Sequence, residues 1–273
     1  MITWKQALPD FEWLIHQVWY LQVEEGDDLP ALPKLIPNPR AHILLTPAAQ
    51  KYCYQSDTDT FSGFGSHLLT ASDQILTLHE QFPLQRFGIT LQPEGLYHLF
   101  GDTHLAINQC QQPDWLVTTF NPFFQSIKWN EITAEKVKTQ LYEFLQQQGF
   151  EPKRDKASQL TRSVISVIDG NRVSVAIDCL AKRCCVTRRT LERSFKQVTG
   201  LSLKQYQTMM TLEKMVLAIY ERGQVTDWAA FAQEFGFSDQ PHLIRHLKRQ
   251  LGATPSGYLS NRDLTLDIYG DFE

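Results

Sequence analysis

Two hydrophobic rhythms divide the chain. From about residue 156 onward, apolar positions recur at helical spacing. Leu160, Val164, Val167 and Ile168 form one stripe, VAIDCLAKR supplies a short second helix, and a third is predicted from Thr187 to Val198. A long helix over SLKQYQTMMTLEKMVLAIYER would face Leu203, Tyr206, Met210, Met215 and Ile219 inward. After Gly223, short helix, turn and helix recur through DWAAFAQEFGFSDQPHLIRHLKRQ. Upstream, HILLT (42–46), HLLTA (67–71) and RFGITLQ (86–92) are short apolar runs bounded by turn formers, which predicts strands. TAEKVKTQLYEFLQQQG predicts a helix capped by Thr133, with Val137, Leu141, Phe144 and Leu145 inward and Gly149 at its end. The predicted fold class is α+β, a β-rich N-terminal half with flanking helices followed by an all-α half. The polar run EPKRDKAS (151–158) sets expected boundaries at 1–152, 153–262 and an acidic tail, 263–273.

Within the helical half one phrase is written twice, as RRTLERSFKQVTG (188–200) and QPHLIRHLKRQLG (240–252). Leu191 falls on Leu243, Arg193 on Arg245, Phe195 on Leu247, Lys196 on Lys248 and Gly200 on Gly252, at an offset that also carries Tyr206 onto Tyr258. A fixed offset signals a duplicated structural unit. In each copy a small residue, Ala181 or Ala232, precedes a hydroxyl, Thr187 or Ser238, by six positions. The alanine lets two helices approach closely, and the hydroxyl is expected to cap the second. Gly236 suits the tight turn between them, while Cys185 stands at its counterpart in the first copy.

Charge sharpens the division. Residues 1–152 carry 8 Lys and Arg against 17 Asp and Glu, whereas residues 153–262 carry 18 against 9. A basic half joined to an acidic one points to a polyanionic partner, nucleic acid first. The predicted reading helices have the side chains for it: Arg188, Arg189, Thr190, Glu192, Arg193 and Lys196 in the first copy, and Gln240, His242, Arg245, Lys248 and Arg249 in the second. Arginine donates to guanine O6 and N7, glutamate accepts from cytosine N4, glutamine suits adenine or phosphate, and the remaining cations neutralise phosphates. The long helix between the copies, some 20 residues from Leu203 to about Arg222, would span roughly 30 Å at about 1.5 Å per residue. One turn of B-DNA advances roughly 34 Å, so two reading helices on one chain would enter successive major grooves.

Residues 159–259 resemble the DNA-binding domain of the AraC/XylS transcription regulators, through TRRTLERSFKQVTGLSLKQY and GFSDQPHLIRHLKRQLGATPSGY. By that resemblance the base-facing positions are Arg189, Glu192 and Arg193, then Gln240, His242 and Arg245. Leu243 and Leu247 stand where the family usually has phenylalanine, Pro241 replaces a common serine, and Thr211 replaces a frequent arginine. These departures suggest that the second unit positions more than it reads. DFEWLIHQVWYLQ and GITLQPEGLYHLFG resemble, more loosely, the cupin-like sensor regions attached to some members. The acidic half is accordingly expected to sense a small-molecule effector or to mediate homodimerisation.

Other chemistry is sparse. Five cysteines (Cys53, Cys110, Cys179, Cys184, Cys185) show neither a CxxC pair nor zinc spacing, so reduced thiols are expected. Trp115, Phe120, Phe123, Phe124 and Trp129 read as core, with an effector pocket as the alternative. His98 and His104 have no neighbouring ligands that would make a metal site, and no cofactor is indicated. The motifs GxSxG, GxxxxGK[ST] and HExxH do not occur, which argues against an enzyme. No apolar run is long enough to span a bilayer and no secretory signal opens the chain, so a cytoplasmic, double-stranded-DNA-binding regulator is expected. The rivals are an N-terminal enzyme or repair domain tethered to DNA, and a helical protein-interaction module that never meets it.

Overall fold

A computed structural model describes residues 2–27, 34–79, 81–101, 106–222, 225, 227–252, 254 and 257. His104, Gly223, Tyr258 and the acidic tail lie outside the described residues. The N-terminal half contains two antiparallel sheets. One has the order β1 (Ile2–Gln6), β2 (Ile15–Val23), β9 (Leu84–Leu91), β4 (His42–Leu45), β7 (His67–Leu69), β10 (Cys110–Gln111). The other runs β3 (Lys34–Leu35), β8 (Leu76–Leu78), β5 (Lys51–Gln55), β6 (Thr60–Phe64). The expected strands are β4, β7 and β9. Strand β2 lacks alternation because both of its faces are buried over most of its length, so VWYL (18–21) runs through its middle without a polar break.

The two faces of the larger sheet follow strand parity. Trp19, Leu21 and Val23 of β2 and Leu44 of β4 enter a cluster with Tyr52, Tyr54, Leu76 and Leu78 of the second sheet. Val18, Tyr20, Ile43, Leu45, Phe87 and Ile89 point the other way, beneath helices α2 (Asp114–Ser126) and α3 (Ala134–Gln148). Ile15 joins this second set because the β2–β9 register shifts between Ile15 and Gln17, an irregularity that resets which face a residue occupies. Gly88 pairs with Trp19, and a Cβ there would lie 2.0 Å from the indole. The glycine makes room for a fully buried ring whose Nε1 donates to Thr90 Oγ1 at 3.1 Å.

Helix α3 has its expected ends: Thr133 accepts from the Lys136 amide and Gly149 adopts a left-handed conformation. A short helix α1 (Gly95–Phe100) follows β9. The C-terminal half is helical as predicted: α4 (Lys156–Asp169), α5 (Ile177–Arg183), α6 (Arg188–Thr199), α7 (Leu203–Arg222), α8 (Trp228–Glu234) and α9 (Gln240–Leu251). All five residues expected inward on α7 are buried. On α4, Val164 and Ile168 are buried, while Leu160 and Val167 are half-buried.

Apolar packing crosses from one half to the other. The cluster between the sheets also takes in Leu212, Met215, Val216 and Ile219 of α7, Phe231 and Phe235 around α8, and Leu243, Leu247 and Leu251 of α9. The first helical unit belongs instead to a cluster of its own, with Val164, Leu180, Leu191, Phe195 and Tyr206, joined from the N-terminal half by Ala71. Among the described residues no helix is long and apolar enough to cross a membrane.

Candidate nucleic-acid interface

The repeated phrase folds into two equivalent helix pairs, α5–α6 and α8–α9. Each pair is joined by the same hydrogen-bonded turn: Val186 N–H donates to Ala181 O (3.1 Å) and Cys185 to Lys182 O (3.1 Å), as Phe237 does to Ala232 O (2.9 Å) and Gly236 to Gln233 O (3.1 Å). Gly236 sits at φ +78° and Cys185 at φ +53°, so the cysteine adopts the left-handed conformation that glycine takes more readily. Ala181 and Ala232 are both buried at the crossing of the two helices.

The cap differs between the copies. Thr187 accepts from the Thr190 amide at 3.1 Å, as expected. In the second copy the cap is not Ser238 but Asp239, which accepts from the His242 amide at 2.7 Å. Ser238 is one extra residue between turn and cap, and its hydroxyl bonds Asp239 (3.0 Å) and lies 3.2 Å from His242 Nδ1. The insertion explains why the turn and the helices repeat at offsets that differ by one. A carboxylate also matches the helix dipole better than a hydroxyl, and the bonds from His242 and Ser238 hold the Asp239 carboxyl below the usual carboxylate range.

Beyond the caps, Leu191, Phe195 and Val198, and Leu243, Leu247 and Leu251, are buried, which turns the polar edges outward. Arg188, Arg189, Arg193 and Lys196 are exposed on α6, as are Gln240, His242, Arg245, Lys248 and Arg249 on α9. The side chains are not equally available. Arg188 pairs with Glu192 (3.1 Å) and faces Asp178 (3.8 Å), and the half-buried Thr190 places its hydroxyl 2.9 Å from that of Thr187. Arg189, Arg193, Lys196, Arg245 and Lys248 enter no ion pair among the described residues. On α9, Phe237 lies between the rings of His242 (5.2 Å) and His246 (5.1 Å). His246 Nε2 is buried without a hydrogen-bond partner among the described residues, and burial lowers that residue's pKa. The sequence pattern did not single out His246, because its part depends on a ring stack that spacing does not reveal.

Polar contacts attach the helical half to the N-terminal half. Arg40 forms a bidentate pair with Glu213 of α7 (2.6 and 3.1 Å), with both side chains largely buried. Gln205 donates to Asp73 at 2.7 Å. At α1, His98 Nδ1 accepts from the Lys153 amide (3.2 Å), Glu94 pairs with Arg162 of α4 (3.5 Å), and the Tyr97 hydroxyl donates to Asp155 (2.9 Å). Burial, with the nearby Arg162 cation, pushes the His98 pKa down to about 4. His98 therefore serves as a structural acceptor between the halves. Among the described residues no group of three His, Cys, Asp or Glu could hold a metal ion. The five cysteines are free.

Residues 180–261 match the family described as a helix-turn-helix domain. No curated protein matches the chain in sequence. Solved structures similar to it include ToxT from Vibrio cholerae, at 12% identity over 90% of this chain and 98% of that one, with a TM-score of 0.46. The C-terminal domain of AraT, a response regulator from Geobacillus stearothermophilus, is similar over 40% of this chain and 90% of that one (20% identity, TM-score 0.35). The DNA-binding domain of AdpA, solved with a target DNA, is similar over 37% and 89% (25% identity, TM-score 0.32). Residues 180–261 thus form a domain of the helix-turn-helix class, with two helix pairs on one chain.

Proposed function

We propose that the chain is a one-component transcription regulator, without a catalytic role, that acts on DNA in the cytoplasm. Residues 153–262 would bind double-stranded DNA through α6 and α9, and residues 1–152 would sense a small molecule and shift the population of DNA-competent arrangements. The carrying observation is the pair of exposed cationic edges, on two helices held by the same turn, at the ends of one 20-residue connecting helix. Arg189, Arg193 and Arg245 are assigned to guanines because they are exposed and enter no ion pair among the described residues. Arg188 and Glu192, engaged with each other, are assigned to phosphate and to orienting that arginine. Lys196, Lys248 and Arg249 are assigned to phosphates, with Gln240, His242 and Thr190 on the reading edge.

Selection of bound duplexes from random DNA with the full chain, followed by a salt titration, tests this reading. Two guanine-containing boxes about one helical turn apart, and an affinity falling steeply with salt, support it. A chain that binds no duplex at low salt is a protein-interaction module, and the reading fails.

A further inference from the structure

We propose that the flank of the β-rich half carries a binding site for a small uncharged amphipathic molecule, with an apolar or aromatic body and one hydrogen-bonding head. The site rests on the sensing role inferred above and gives it a location. A cavity of about 390 Å³ opens between the ends of β4, β6 and β7 and helix α2, within the roughly 300–1,000 Å³ of small-molecule pockets. Leu45, Leu116, Phe124 and Trp129 supply an apolar lining, and Thr46 and Asn121 supply polar groups.

Local structure builds the cavity. The Gln112 amide donates to both Phe64 O (2.6 Å) and Ser66 O (2.8 Å), tying the segment before α2 to the turn between β6 and β7. Helix α2 buries Leu116, Phe120 and Phe123 in the core. Val117, Asn121 and Gln125, each four residues apart, form the adjoining line along the cavity. Of the aromatic set in this region, Phe120 and Phe123 are plain core, while Phe124 and Trp129 are half-buried and line the opening.

Three observations define the occupant. First, among the described residues the lining contains no ionisable side chain, although the surrounding half is strongly acidic. A charged ligand would shed water and meet no countercharge. Second, Thr46 is 5% exposed and its Oγ1 is buried with no hydrogen-bond partner among the described residues. Buried hydroxyls are rarely left unmatched, and a ligand head group would satisfy this one. Third, two of the largest exposed apolar side chains stand at this opening, Phe64 at 60% and Val117 at 52%. The space between the two sheets, by contrast, is filled by Trp19, Tyr54, Leu78 and the fully buried Arg86.

The site also has a route to the DNA-binding half. Trp115 of α2 packs on Phe100 of α1 at 3.9 Å between ring centroids, and the α1 region holds α4 and the segment before it through Glu94, Tyr97 and His98. A ligand that shifts α2 therefore acts first on the helices of the first unit.

Fluorescence titration of the full chain with uncharged N-phenylnaphthylamine, and with anionic anilinonaphthalene sulfonate as its charged counterpart, tests the site. Saturable binding of the neutral probe is expected, about 10-fold tighter than the sulfonate. Asn121→Asp and Val117→Glu should weaken it by a similar factor, and Trp129→Phe should reduce energy transfer from the protein to the probe, with circular dichroism unchanged. Equal binding of both probes, or indifference to all three variants, overturns the proposal. So does a Phe64→Asp variant that turns a dimer into a monomer while the parent chain binds no probe, because a second copy would then be the occupant. Duplex affinity is measured separately: binding as expected with no change in DNA affinity leaves the site standing and removes the sensing role.

Discussion

The two helix-turn-helix units share a turn, an alanine crossing and an exposed cationic edge, yet they are attached to the rest of the molecule by different physics. The first keeps its own apolar cluster with α4 and meets the N-terminal half largely through polar contacts around His98 and Arg162. The second has no separate core. Leu243, Leu247 and Leu251 belong to the same cluster as Trp19, Leu35 and Leu76. Hydrogen bonds between partly exposed groups exchange readily with water, whereas a shared apolar core separates only at the cost of its burial. The first unit is thus the one free to respond to the N-terminal half, and the second is the anchor. This agrees with the proposal that α9 positions more than it reads, since the helix has a proline at its start and His242 is held by Ser238.

The contrast can be broken most forcefully at α7. Arg40→Ala leaves Glu213 largely buried without its guanidinium, a loss expected to cost about 3–5 kcal/mol, whereas the double change Arg40→Met with Glu213→Leu should recover much of it. Chemical denaturation of the three proteins measures this, and a double variant no more stable than Arg40→Ala would remove the pair from the account. Next, Leu247→Ala should cost about 2–5 kcal/mol and lower the unfolding of sheets and helices together. Leu191→Ala, similar in magnitude, should perturb the helical half first. Far- and near-ultraviolet melting curves that moved identically in both variants would erase the distinction between anchored and responsive units.

At the DNA surface, Arg189→Ala or Arg193→Ala should cost about 1–3 kcal/mol and relax preference at one base pair. His242→Ala should weaken binding with less loss of discrimination. Equal loss of base preference in footprints of the Arg189 and His242 variants would show that both units read alike. Smaller again is Lys196→Ala, expected to reduce the salt slope by about one without changing sequence preference.

The last test uses pH. Burial holds the His98 pKa at about 4, below its ordinary 6.5, so the unfolded chain binds the extra proton between those values and the folded one does not. Stability linked to His98 is therefore complete above about pH 6.5 and is lost as pH falls toward 4. His42 and His67, lowered to about 3 by burial, add in the same direction. Thermal melting of His98→Gln against the parent should show a shallower acid limb, and parallel limbs would take His98 out of the contact.

What the sequence revealed depended on how local the cause was. Thr133, Thr187 and Gly149 act within one helical turn, and each helix end they mark appears where expected. The duplicated phrase also survives: its buried leucines align and its cations face outward. Strand β2 was not legible because a strand buried on both faces loses alternation. The Asp239 cap was missed because an inserted serine resembles the expected hydroxyl. Contacts such as Arg40 with Glu213 join residues far apart in the chain and leave no periodic trace. The flank cavity was half visible as an aromatic cluster, but which rings face it depends on packing between β4, β6 and α2.

The core shared between the sheets and the second unit has a consequence for biogenesis. The strands carrying Trp19, Leu35 and Leu76 leave the ribosome well before α9, and domains generally fold in order as synthesis proceeds. Until Leu243, Leu247 and Leu251 arrive, the apolar surface they cover stands open to water and to chaperones. A nascent chain arrested after α7 should remain a chaperone client, and release of that client should coincide with emergence of the last helix. The second helix-turn-helix unit would then also serve as the closing piece of the β-rich half.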